Sequence, residues 1–186
     1  MAASPYLLDR DETALCILDI QEKLAAGMPE KEKVFANARA LTFAALRLNI
    51  PILVTEQYPK VFGATVVELT SALDKQYAPI EKVCFDCADE PAFLEQLKPL
   101  KRKQLLLCGM EAHVCVLQTC LSLLERNWRV HVVADAVCSR RTEHKELALA
   151  QMRQAGAVIT CAEAAIFQFL GKAGTPEFRD LLNLIK

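Results

Sequence analysis

The sequence predicts an α/β protein, a parallel sheet with helices packed on both of its faces. Three observations carry that reading. Short apolar, β-branched runs alternate with longer amphipathic stretches along the chain, the signature of repeated strand–helix units. The 186 residues are 53% hydrophobic and 24% charged, and a chain of this length buries roughly 70% of its unfolded surface without staples. No internal repeat, low-complexity segment or linker interrupts the pattern, so residues 1–186 read as one domain.

The elements follow in order. Residues 14–19 (ALCILD) read as a buried strand. Residues 30–48 place Val34, Ala38, Leu41, Ala45 and Leu48 at helical spacing. A second strand is expected over 51–55, a short helix over 65–73 and a third strand over 80–83. Residues 91–98 form a helix stopped by Pro99, because proline cannot donate to the ladder. A strand over 103–109 precedes the most regular helical pattern in the chain, 112–126. Residues 129–134 form a strand, and 142–155 a helix with Gly156 as its C-terminal cap. A last strand over 158–161 and helices over 163–170 and 176–185 complete the series. In such sheets ligands bind beyond the carboxyl ends of the strands, where the strand order reverses. Reactive residues are therefore sought at strand ends and in the loops that follow.

Composition narrows the function classes. With 22 basic and 23 acidic residues the formal net charge is −1, so no general electrostatic grip on nucleic acid is expected. The longest apolar stretches fall far short of the roughly 20 residues that span a bilayer. Asp9, Arg10, Asp11 and Glu12 precede the first apolar run, unlike a signal peptide or an acid-poor transit peptide. The expectation is a soluble, cytoplasmic protein without a membrane partner. In that setting the eight cysteines do not read as a disulfide framework. Those inside apolar runs, such as Cys16 and Cys108, read as small buried hydrophobes.

Three residues stand out against the strand-end criterion. Asp19 ends the first strand, either as a partly desolvated carboxylate or as a turn former. Gln21 follows and can point the same way. Lys82 lies near the end of the third strand, held in an apolar wall by Ile80, Val83 and Phe85 or snorkelling to solvent. Cys115 falls in the first turn of the helix after the fourth strand, where free N–H groups and the helix dipole favour a thiolate; the bland reading is another buried cysteine. Parallel packing brings these strand ends to one edge. Together a carboxylate, an ammonium and a thiol are the parts of a cysteine nucleophile system, with the carboxylate taking the thiol proton and backbone N–H groups holding an oxyanion.

On these residues, and on the segments CILDIQEKL, TEQYPKVFGATV, EKVCFD, LLLCGMEAHVC, VHVVADAVCSR and AEAAIFQFLG, the sequence resembles the isochorismatase-like hydrolases, and most closely the isochorismatase domain-containing group. The resemblance spans nearly the whole chain. It implies a three-layer α/β/α sandwich around a mainly parallel six-stranded sheet. It implies that Cys115 is the nucleophile, Asp19 the base and Lys82 the support for both charges. It implies a cis peptide at Met110–Glu111, with the amides of Glu111 and Cys115 as the oxyanion hole. Nicotinamidases of this superfamily hold a metal with an aspartate and histidines after the second strand; here Thr55, Glu56, Gln57 and Tyr58 stand there. No metal and no other cofactor is therefore expected. Retention of Cys115 points to an amide-type or other acyl substrate, and family habit to a homo-oligomer. A binding or scaffold member without turnover is the alternative. A ribonuclease-like role gets no support from the charge.

Other residues take secondary roles. Tyr58, Phe62 and Phe85 are expected to wall the pocket, with Gln21 and His113 lining it. Cys84-Phe85-Asp86-Cys87 is a C-x-x-C read as chance proximity, since it lacks a second ligand pair or a helix N-terminus. Arg140 and Arg141 follow the fifth strand, either to meet an anionic substrate or as a solvated pair.

Overall fold

The structure, a computed structural model, describes residues 4–185. In chain order the elements are β1 (Thr13–Leu18), α1 (Glu22–Ala25), α2 (Lys31–Arg47), β2 (Ile52–Gln57), α3 (Pro59–Phe62), α4 (Val67–Leu73), β3 (Ile80–Lys82) and α5 (Pro91–Leu97). There follow β4 (Gln104–Met110), a π-helical turn (Ala112–Val116), α6 (Leu117–Glu125), β5 (Arg129–Cys138), α7 (Thr142–Gln154), β6 (Val158–Thr160), α8 (Ala162–Leu170) and α9 (Pro176–Ile185). The six strands form one sheet in the order β3-β2-β1-β4-β5-β6, every pairing parallel. This is the three-layer α/β/α architecture that the alternating pattern and the family resemblance imply.

The layers follow from side-chain alternation. In β1, Leu15 and Ile17 join the core beneath α2, α4, α8 and α9. Ala14, Cys16 and Leu18 join the core beneath α5, α6 and α7. A strand buried on both faces needs apolar residues throughout, which is why the run reads as continuous rather than alternating. The chain moves outward from β1 through β2 to β3, then returns to place β4 on the other side of β1. The strand order therefore reverses between β1 and β4, and the crevice at their carboxyl ends is where Asp19 and Met110 emerge.

Gly109 sets that crevice. It adopts φ +140°, and an added Cβ would lie 2.0 Å from the Leu18 carbonyl oxygen. β1 and β4 approach so closely beside the site that no side chain fits between them. Gly109→Ala is expected to cost about 3 kcal/mol or more. At this size that lowers Tm by roughly 6–12 °C, measurable by calorimetry; an unchanged Tm would show that the strands separate freely.

Several elements differ from those expected, among them the short helices α1 and α3, which no residue pattern announced. The helix expected over 112–126 begins instead as a π-turn, with Val116 N–H donating to Glu111 O at 3.3 Å, and becomes α-helical only at Leu117. Apolar spacing does not register one extra residue in a turn. β5 runs on to Cys138, past a register irregularity against Leu107–Gly109. α5 ends at Leu97, within a residue of the stop expected before Pro99, and Pro99 itself sits in a 3₁₀ turn over Lys98–Leu100, where a proline in a first turn loses no needed N–H. The helix expected from Thr65 begins at Val67, because Thr65 N–H and Oγ1 both donate to the buried Glu56 Oε1.

Candidate active site

The carboxyl end of β1 turns sharply at Asp19, which adopts a left-handed conformation (φ 55°) that aspartate tolerates better than most residues. Its N–H donates to Thr55 O at 3.1 Å, fixing it against β2. The side chain is fully buried. Thr55 Oγ1 donates to Oδ1 at 2.6 Å, and Lys82 Nζ donates to Oδ2 at 2.7 Å. Asp19 is thus both the turn former and the buried carboxylate.

Lys82 ends β3, and its side chain is as inaccessible as that of Asp19. It does not snorkel, and of the expected apolar wall only Ile80 is buried: Val83 and Phe85 are 72% and 53% exposed. Oxygen atoms hold it instead. Besides Asp19, Nζ donates to Gln57 Oε1 at 2.6 Å and to Cys84 O at 3.2 Å. Its remaining neighbour is Cys115 Sγ at 3.7 Å. Burial works against the ammonium, but the Asp19 carboxylate together with the nearby Cys87 and Cys115 sulfurs outweighs it, and the Lys82 pKa rises.

Cys115 lies in the π-turn and is 4% exposed. The structure thus brings Asp19, Lys82 and Cys115 together, with Lys82 Nζ between carboxylate and sulfur. It does not make the sulfur a resting thiolate, as the expected helix start suggested. Burial pushes the Cys115 thiol well up, the nearby Asp19 charge adds to this, and Lys82 only partly opposes them. The ion pair explains why Lys82 does not reverse the effect of burial. Lys82 already neutralises Asp19, so an ionised sulfur would be a second buried anion without its own cation. Alkylation of Cys115 in the substrate-free protein is therefore expected to lag a free thiol of pKa about 8.5 at neutral pH, and to keep rising above about pH 9. A rate that plateaus below about pH 7 would contradict this.

Gln57, which the sequence reading placed only among residues after the second strand, completes the cluster. Its Oε1 accepts from Lys82 and lies 3.9 Å from Cys115 Sγ, while its Nε2 donates to Val83 O. Gln21 fixes its backbone, accepting from Gln57 N–H at 2.8 Å and donating to Gln57 O at 3.1 Å and Gly63 O at 2.6 Å. Gln21 is itself fully buried. Instead of lining a pocket it braces the residue that does reach the sulfur. Only the spacing T-E-Q, which sets Thr55 and Gln57 on one face of β2, hinted at this pair.

The other expected wall residues spread out. Tyr58, in a left-handed conformation and 46% exposed, lines a groove of about 270 Å³ with Pro59, Val83 and Glu90. Phe62 is half-buried in α3, and Phe85 lies on the surface. His113 turns to Ser139, with Nδ1 2.9 Å from its Oγ, and packs against the His144 ring at 4.8 Å. Burial lowers the His113 pKa against the pull of Glu111. The peptide joining Met110 to Glu111 is cis. The Glu111 carboxylate, 4% exposed, accepts from Arg140 Nη2 at 2.6 Å, Nε at 3.1 Å and backbone N–H at 2.9 Å. Burial alone would raise the Glu111 pKa; these bonds and the Arg140 charge outweigh it and lower it. Arg140 is therefore anchored rather than merely solvated.

Cys84 and Cys87 are free thiols. Cys87 N–H donates to Thr119 Oγ1 at 2.9 Å, and burial pushes its thiol to about 12. Among the described residues no three His, Cys, Asp or Glu side chains converge as a metal set, and no helix is long and apolar enough to cross a membrane.

Known proteins share this arrangement of chain. The secreted isochorismatase effector Isc1 of Phytophthora sojae is 40% identical over 180 residues, covering 94% of this chain and 84% of its own. Isochorismatase domain-containing protein 2 of Homo sapiens is 37% identical over 190 residues, covering 100% and 90%. The structure of the MAR1 ribonuclease of Caenorhabditis elegans superposes with a TM-score of 0.90 at 40% identity, over 96% of this chain and 92% of that one. The family model of the Isochorismatase domain matches residues 13–164. On that match, and on relatives aligned over nearly its full length, the chain belongs to the isochorismatase family.

Proposed function

We propose that the whole chain acts as one cysteine-dependent hydrolase domain for a small carbonyl substrate, an amide or ester, with Cys115 as nucleophile, Asp19 as base and Lys82 as electrostatic support. One observation carries the reading: a fully buried ammonium 2.7 Å from a carboxylate oxygen and 3.7 Å from a thiol sulfur, at the reversal point of the sheet. An ion pair stripped of water is costly and weak evidence for stability, and strongly perturbed groups cluster at functional sites.

The steps follow from the protonation states. Cys115 starts as a thiol. Its Sγ attacks the carbonyl carbon as its proton passes to the Asp19 carboxylate, so the buried charge is never two anions against one cation. The carbonyl π electrons move to oxygen, and the amides of Glu111 and Cys115 hold the oxyanion. The tetrahedral adduct collapses, the amine or alcohol leaves with the proton from Asp19, and a thioester remains. Water attacks the thioester, giving a proton to Asp19. The second adduct expels the sulfur, which recovers that proton, and the acid departs. Lys82 stays charged throughout and offsets the negative charge that moves between Asp19, sulfur and oxyanion.

The test is a panel of small uncharged and charged amides and esters, assayed with the wild-type protein and Cys115→Ala. Turnover that depends on Cys115 supports the reading. Saturable binding with no Cys115-dependent turnover across the panel overturns it in favour of a binding protein. The similarity to a protein named a ribonuclease motivates one further assay. RNA cleavage that survives Cys115→Ala through repeated purification would favour a nuclease instead; the net charge of −1 gives that reading no electrostatic footing.

A further inference from the structure

Arg140 stands at the carboxyl end of β5, two residues beyond Cys138, which pairs in register with Met110. Glu111, next after Met110, opens the turn that carries Cys115, and its carbonyl accepts from Val114 and Val116 N–H. The Glu111–Arg140 pair therefore stands at the carboxyl ends of β4 and β5, on the side of β4 away from β2. A free guanidinium here would be a forked receptor for a substrate carboxylate, because its two parallel N–H donors match two carboxylate oxygens. In this chain the Nε/Nη2 face of that fork is already filled. Nε and Nη2 both face the Glu111 carboxylate, and the Arg140 backbone N–H donates to the same group. The carboxylate is buried while the guanidinium is largely exposed, so Glu111 is the fixed partner and is not readily displaced.

The charges then balance in pairs: Lys82 with Asp19, and Arg140 with Glu111. A substrate carboxylate entering this crevice has two outcomes. It can displace Glu111 from Arg140, leaving a buried carboxylate unpaired, or it can take the remaining Nη1 donors and share one cation with Glu111. Both cost free energy. An uncharged amide or ester needs only N–H donors for its carbonyl and meets neither penalty.

We propose that Glu111, by occupying Arg140, is a specificity-determining residue that makes this site select uncharged substrates over carboxylates. The proposal rests on the reading of Cys115 as the reactive centre, and its test does not require turnover. Iodoacetamide and iodoacetate are near-isosteric alkylating agents that differ in charge. Their rates at Cys115 are read by peptide mass spectrometry at alkaline pH and normalised to those at the exposed Cys161. In the wild type the preference for the uncharged reagent is expected to be about tenfold greater at Cys115 than at Cys161. Glu111→Gln frees the guanidinium and should shift that ratio about tenfold towards iodoacetate. Arg140→Gln, a change at an exposed side chain, leaves Glu111 unpaired and should shift it the opposite way. Equal ratios at the two cysteines in the wild type, or a ratio that neither substitution moves, overturns the proposal. Labelling of Cys161 but never of Cys115, by either reagent, overturns the reactive-centre reading and the proposal with it.

Discussion

Replacing Cys115 by alanine is expected to abolish turnover of any amide or ester substrate, by roughly 10³-fold or more in kcat, while leaving the fold intact. The thiol is buried, but alanine removes only one sulfur atom from a turn held by its backbone. Melting temperature and circular dichroism should therefore change little. The contrast matters because no other described group stands where Cys115 Sγ does, 3.7 Å from Lys82 Nζ. A parallel loss of fold and activity would instead make Cys115 a core residue. Retained activity would move the nucleophile elsewhere.

The second large effect concerns the ion pair. Lys82→Met removes the cation and leaves the Asp19 carboxylate buried, with Thr55 Oγ1 as its remaining side-chain donor. Breaking a fully buried pair in this way costs about 3–5 kcal/mol, and turnover should be lost as well. Asp19→Asn in the same chain removes the orphaned charge. The double variant is expected to regain most of the stability, since replacing both partners costs far less than removing one, but none of the activity. Denaturant unfolding of the two single variants and the double variant gives the coupling. Additive losses in stability would mean that the two groups do not share one site in solution.

Much of this was legible in the residues. Continuous apolar runs such as ALCIL and LLLC marked strands buried on both faces, and the search for chemistry at strand ends led to Asp19, Lys82 and Cys115. What stayed hidden involved choices that spacing does not record. The extra residue in the π-turn leaves the apolar pattern of 112–126 unchanged, yet it sets the backbone from which Cys115 projects. The resting state of the thiol could not be read from its place near a helix start. That depends on Asp19 and Lys82 having already neutralised each other, a fact of three-dimensional proximity between residues 63 apart in sequence. Gln57 looked like an ordinary polar residue beside a strand and Gln21 like a pocket-lining one; only the sheet register, with Gln57 opposite Lys82, shows why one is bent over the ammonium and the other braces it. The pairing of Glu111 with Arg140, 29 residues apart, was equally invisible, because nothing in their spacing records that the ends of β4 and β5 meet.

Covalent chemistry at one sulfur is the claim on which the rest depends. The most direct measurement is acid quenching during steady-state turnover of an ester from the panel, followed by peptide mapping of the trapped protein. The substrate's acyl mass is expected on the peptide carrying Cys115, formed at a rate at least equal to kcat and absent in Cys115→Ala. Wild-type turnover with no acyl group on Cys115, while the Cys115→Ala variant retains its activity, would contradict it.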